Sequence, residues 1–200
     1  MKFELPHFPH RFEDFEPIIS RKAMVLHYQQ HLGGYINKLN ELLEDMPEFH
    51  DKSLEYICRY SAVNTPIYNN ANQAWNHIFL FEALKKHDIG SVSRLPEWLQ
   101  REFDCNATTI EKINKASTRF FGSGWTWICW NKPSKAIDVW CMRDAENPLK
   151  NTHYVPLFCI DLWEHQYYLD FYNQRNNFLD AFWSIIDWDV VKKRYDNAVL

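Results

Sequence analysis

Several of the nine histidines in this 200-residue chain stand at spacings that could do chemistry. His27 and His31 are four residues apart in a segment of helical period, so they share one helical face, and Tyr35 extends that face by another turn. His77 lies in a second helical segment, NNANQAWNHIF (69–79), with Gln73 four residues before it on the same face. Asp161 and His165 occur in IDLWEHQYY (160–168), where two carboxylates and an imidazole sit in apolar, aromatic company. A charge buried there costs several kcal/mol unless something opposes it. If the two helical segments form an antiparallel hairpin, His27 and His77 can meet. Asp161 and His165 would join them from the end of a strand and the turn after it. Three imidazoles and one carboxylate suit a single transition metal such as iron, manganese or zinc, and the cation would balance Asp161.

Each residue alone also has a plainer reading. A single histidine on an apolar helix is ordinarily a core residue with one satisfied hydrogen bond. Asp161 could be a salt-bridge partner or a cap, and Glu164 simply exposed. His7, His10, His50, His87 and His153 read as surface residues, and Trp75, Trp127 and Trp183 as core. Spacing alone leaves a metal site and a packed core both open.

The elements that would carry these residues follow from periodicity. Residues 20–45 predict a long helix capped by Ser20, with Val25, Tyr28, Leu32, Tyr35, Leu39 and Leu42 recurring every three or four positions. Gly33 and Gly34 interrupt it at about 1 kcal/mol each relative to alanine, which suggests close packing against a neighbour. A shorter helix is expected over 52–60, ended by Asn64-Thr65-Pro66. A second long helix is expected over 68–86, with Lys85, Lys86 and His87 at its C-terminal dipole and Gly90 at its stop. Helical pieces over 97–103 and 109–121 lead to WTWICW (125–130) and AIDVWCM (136–142), which read as a hairpin of strands, with a third strand over 154–160. The tail, 177–198, reads as helical. The expected class is α+β: an N-terminal long helical hairpin (1–90), then a C-terminal domain (91–200) with a three-stranded antiparallel sheet and flanking helices, the metal site lying between them.

Composition bounds the function. The chain is 46% hydrophobic and 16% aromatic, enough for a large stiff core, and its formal net charge of -4 argues against a nucleic-acid binder. No stretch approaches the roughly 20 apolar residues of a membrane span, and MKFELPHFPH has no secretory pattern. Cys58, Cys105, Cys129, Cys141 and Cys159, an odd set without C-x-x-C, fit reduced thiols in the cytoplasm.

IDLWEHQYY resembles the D-x-W-E-H-x-Y-Y signature of the iron/manganese superoxide dismutase family. FELP (3–6), LHYQQHLGGY (26–35), NNANQAWNH (69–77), FGSGWTW (121–127) and NQR (173–175) resemble other family motifs, in the family's order and over nearly the whole chain. The resemblance implies conversion of superoxide to dioxygen and hydrogen peroxide at a metal held by His27, His77, Asp161 and His165. It implies that Tyr35 and His31 line the substrate funnel and that Gln73 hydrogen-bonds the metal's solvent. Trp75, Trp125 and Trp163 match an aromatic box. Glu164 and Tyr168 match residues reaching across a twofold interface, in a homodimer or a homotetramer, and Arg175 matches an arginine near the funnel. Gln73 on the second long helix marks the iron type. Manganese members bring a glutamine at the position of Ala145, so one iron per chain is implied, with manganese a possible substitute. The chain departs from the pattern at Leu32, Gly33, Gly34, Asp144, Phe171 and Asn176. Two other readings remain: a zinc or iron hydrolase on the same ligands with Glu164 as general base, and a redox-inactive interaction protein of the same fold.

Overall fold

The computed structural model describes residues 2–87, 95–102 and 109–200. The expected domain boundary at 90/91, the Gly90 stop and Cys105 lie outside the described residues. Ser20 opens the first long helical run by accepting a hydrogen bond from Ala23 N. The run begins as α1 (Arg21–Val25), passes into π-helical winding over Leu26–Leu32, and continues as α2 (Gly33–Leu43). Periodicity anticipated the helix but not the π segment, which holds His27 and His31. The expected close packing at the glycine pair is not found: a Cβ on Gly33 or Gly34 would meet nothing within 4 Å.

α3 (Leu54–Tyr60) is followed by α4 (Pro66–Glu82), which starts with Thr65 as cap and Pro66 in its first turn. α4 ends at Glu82, four residues before its expected end. There the chain turns to pair with a distant segment: Lys85 N donates to Ile185 O and Asp187 N to Ala83 O, each at 2.8 Å. Lys85, Lys86 and His87 therefore lie beyond the helix rather than at its dipole. α2 and α4 pack as a hairpin, and Ile36, Leu39, Ala71, Ala74 and Leu80 belong to the buried core.

After α5 (Glu97–Glu102) and α6 (Thr109–Arg119) come β1 (Gly124–Asn131), β2 (Ala136–Arg143) and β3 (Tyr154–Asp161). They form an antiparallel sheet in the order β2-β1-β3. The central strand is buried along nearly its whole length, which is why its sequence lacks a polar alternation. Gly124 is required at its start, because a Cβ there would stand 2.1 Å from Met142 O. The register sets Trp125 opposite Asp161, with an irregularity between Ile128 and Cys129. α4 packs on β3, so the helical half meets the sheet at the strand that ends in Asp161.

Beyond β3 the sequence reading needs two corrections. His165 is not in a turn but in the first turn of a helix, α7 (Glu164–Phe171). The tail is not one helix. It divides into α8 (Arg175–Phe182), a 3-10 turn at Trp183–Ile185 and α9 (Trp188–Val199). Asp187 caps α9 by accepting from Asp189 N and Val190 N, and the break lets Leu84 bridge to Ile186. No helix among the described residues is long and apolar enough to cross a membrane.

Candidate metal centre

His27, His77, Asp161 and His165 come together at the junction of the π segment, α4, the end of β3 and the start of α7. One ligand atom from each lies within 4.8 Å of the others. Asp161 Oδ2 stands 3.2 Å from His27 Nε2, 3.1 Å from His165 Nε2 and 3.7 Å from His77 Nε2. The Nε2 atoms of His77 and His165 are 3.5 Å apart. Donors held about 2.0–2.2 Å from one ion lie about 3–4 Å from each other, and these four separations fall in that range, as a single shared cation requires. His27 Nε2 is buried, and its 3.2 Å approach to Asp161 Oδ2 lacks the angle of a hydrogen bond, which a shared cation would make good.

Two of the ligands have their other polar atom satisfied. His77 Nδ1 lies 2.7 Å from Gln73 O and so carries the proton, leaving Nε2 free to bind. Asp161 Oδ1 accepts from Trp163 N at 2.8 Å, leaving Oδ2 for the cluster. Electrostatics agrees. Burial pushes the Asp161 carboxyl up, but His165 and His27 outweigh it and hold the group well below the usual carboxylate range. Burial lowers His27, although Asp161 opposes it, and burial with His27 lowers His77. With burial pushing His27 and His77 toward their neutral forms, ionised Asp161 is a buried charge that a cation would offset.

The other residues singled out from sequence fall around this cluster at differing distances. The His31 ring stacks on His165 at 4.0 Å and is half-buried; burial, then His165 and His27, lower it to about 4. Tyr35 lies 5.3 Å from the His77 ring, and burial with Asp161 pushes its hydroxyl up to about 12. Gln73 is buried on α4 with Oε1 unpartnered. Trp125 meets His77 edge-on at 5.0 Å, and Trp163 stacks on His165 at 5.8 Å. Trp75 sits one ring further out: it stacks on Phe79 and Trp127, and Trp127 in turn lies 6.2 Å from Trp125. Arg175 is committed to oxygens, donating to Phe120 O, Gly122 O, Leu162 O and Tyr167 Oη at 3.0–3.3 Å. Glu164 and Tyr168 are exposed and line a surface groove with Arg175.

Two contributors escaped the sequence reading. Phe81, one turn after His77, covers His27 at 5.0 Å, which its i+4 spacing from His77 could have suggested. Asn72, Asn76 and Asn147 form a buried amide cluster beside the site, for which no local signal exists.

A buried set of three imidazoles and a carboxylate, shared between a helical hairpin and a three-stranded α+β unit, defines a mononuclear metalloprotein. Residues 2–85 match the description "Iron/manganese superoxide dismutases, alpha-hairpin domain", and residues 91–194 match "Iron/manganese superoxide dismutases, C-terminal domain". A Bacteroides fragilis protein described as "Superoxide dismutase [Fe]" is 37% identical over 97% of this chain and 100% of its own. Proteins of the same description from Salmonella typhimurium (36% identical, 96% of this chain and 98% of theirs) and Plasmodium falciparum (32%, 100% and 99%) are similar throughout. The chain belongs to the iron/manganese superoxide dismutase family, and His27, His77, Asp161 and His165 are the family's metal site. Its activity is the dismutation of superoxide.

Proposed function

We propose that the chain dismutes superoxide in the cytoplasm with one iron per chain, as a homodimer that could pair further into a tetramer, with manganese as a possible substitute. The observation that carries the reading is the convergence of Asp161 Oδ2 with the three Nε2 atoms. Iron is favoured by Gln73 on α4, by Ala145 at the alternative glutamine position, and by relatives described as "[Fe]". When bound, the ion would supply one-electron chemistry, accepting an electron from one superoxide and returning it to a second.

The protein's own groups would do the rest. His27, His77 and His165 would hold the ion as neutral donors and Asp161 as the anion, so a trivalent ion keeps net positive charge that attracts an anionic substrate. Trp125 and Trp163 pack on the ligand rings, with Trp75 behind them, and would exclude water and hold the ligands rigid. Tyr35 keeps its hydroxyl proton across the physiological range, so it would hold a proton at Oη for the departing peroxide. His31 and Tyr35 would line the approach, and Gln73 would tune the ion through its side-chain amide. Arg175 would add local positive charge against the net charge of -4.

The two-domain division at 90/91, with the site between the halves, belongs to the same proposal. The dimer is supported by exposed apolar surface: Phe121 is 86% exposed and Tyr168 48%, beside exposed Glu164. Cytoplasmic residence is supported by the free cysteines Cys58, Cys129, Cys141 and Cys159.

The test is metal analysis with an assay of superoxide consumption, on protein purified without added metal. Iron near one per chain, with activity lost in His77→Ala, is the expected result. Stoichiometric zinc without superoxide consumption would overturn it. Sedimentation equilibrium checks the dimer, and a monomer at micromolar concentration would remove that part.

A further inference from the structure

The 144–149 segment joins the two halves of the ligand set through hydrogen bonds. Asn147 is buried, and its side-chain nitrogen donates to Asn72 Oδ1 at 2.7 Å and to Asn76 Oδ1 at 2.8 Å. Its Oδ1 accepts from Leu149 N at 3.1 Å, capping the 3-10 turn Pro148–Lys150. Both donor hydrogens are thus used. The acceptors are fixed in orientation, because Asn72 Nδ2 donates to Tyr68 O at 2.8 Å and Asn76 Nδ2 to Ala145 O at 3.3 Å. Asn72 and Asn76 immediately precede Gln73 and His77 in α4. On its other side the segment holds Trp163, whose indole nitrogen donates to Asp144 O at 3.2 Å. Trp163 in turn donates its main-chain N–H to Asp161 and stacks on His165.

We propose that Asn147 is a positioning residue for the metal site: its amide, bridging Asn72 and Asn76, keeps the α4 pair Gln73 and His77 in register with Asp161 and His165. The inference rests on the iron reading above. The bridge links elements that the chain connects only over a long path, since Asn72 and Asn147 are 75 residues apart. Its strength depends on a donor at that place. An aspartate has the same shape, but it would turn a carboxylate oxygen toward two amide oxygens that cannot turn away without losing Tyr68 O and Ala145 O.

The experiment compares wild type with Asn147→Asp, Asn72→Ala and the double variant. The readings are iron affinity by chelator competition, the visible spectrum of the iron-loaded protein, and the melting temperature of the metal-free protein. Asn147→Asp is expected to bind iron about tenfold more weakly, the low end for groups that orient ligands, with a displaced visible band. Asn72→Ala, which removes one acceptor of the bridge together with the Asn72 bond to Tyr68 O but sets no charge against an amide oxygen, should show a smaller loss and serves if Asn147→Asp does not fold. The double variant should recover part of the Asn147→Asp loss, because one of the two opposed oxygens is gone. Unchanged affinity and spectrum in the single variants, with only the melting temperature lowered, would mean that the bridge serves stability alone and would overturn the inference. A wild-type protein that takes up no iron would overturn the iron reading, and this inference with it, before any variant is compared.

Discussion

His77 Nδ1 lies 2.7 Å from the main-chain oxygen of Gln73, one turn earlier in α4. The backbone of Gln73 therefore sets the tautomer of a ligand, while its buried side chain serves a separate purpose. The two roles separate on mutation, because every substitution keeps the carbonyl. Gln73→Ala should retain about one metal per chain while superoxide consumption falls at least tenfold. Metal analysis beside the assay checks this, and loss of the metal would contradict it.

Asp161 is fully buried, with imidazoles on three sides. Its lowered pKa means that the fold favours the anion even without a cation, and a cation would favour it further. Asp161→Asn should melt below the wild-type temperature when both are metal-free at neutral pH, and should lose iron affinity by about a hundredfold or more. Melts with and without iron give the comparison. A metal-free variant as stable as wild type would count against it.

Gly124 has no room for a methyl group, with Met142 O 2.1 Å and the Phe120 ring 2.8 Å from the Cβ site. The neighbour is backbone inside a paired ladder and cannot step aside. Gly124→Ala should cost about 3 kcal/mol or more, measured by urea unfolding, and its failure to do so would show that β1 and β2 can separate locally.

Gly34 presents the opposite case. A Cβ there meets nothing within 4 Å, and the residue is helical. Gly34→Ala should stabilise the protein by about 0.5–1 kcal/mol through reduced freedom of the unfolded chain. A higher urea midpoint with an unchanged slope is the expected observation.

Arg175 donates to three main-chain carbonyls and to Tyr167 Oη. A lysine keeps the charge but cannot reach this spread of acceptors from one point. Arg175→Lys should lower stability by about 1–3 kcal/mol, the cost of orphaning partly buried carbonyls. Equal stability would show that water replaces the guanidinium there.

Legibility followed locality. The four-residue spacing of His27 and His31, the Gln73–His77 pair and the D-x-W-E-H run are written over short stretches, so the candidate ligands and the α+β order could be read, and the family resemblance of those runs then favoured a metal site over a packed core. The residues that escaped depend on partners far along the chain. α4 stops at Glu82 because Lys85 finds Ile185, and the tail breaks near Trp183 for the same reason. Trp75 stands two residues from His77 on α4 and so cannot face it, whereas Trp125 meets His77 only because β1 pairs with β3.

The sequence by itself determined which side chains could bind a cation and which elements would carry them, because periodicity and ligand type are properties of neighbouring residues. The tertiary structure alone decided the π winding beneath His27, the commitment of Arg175 to carbonyls, and the Asn147 bridge. Those features exist only when segments tens of residues apart are in contact, since a buried polar group takes the partner that packing brings to it.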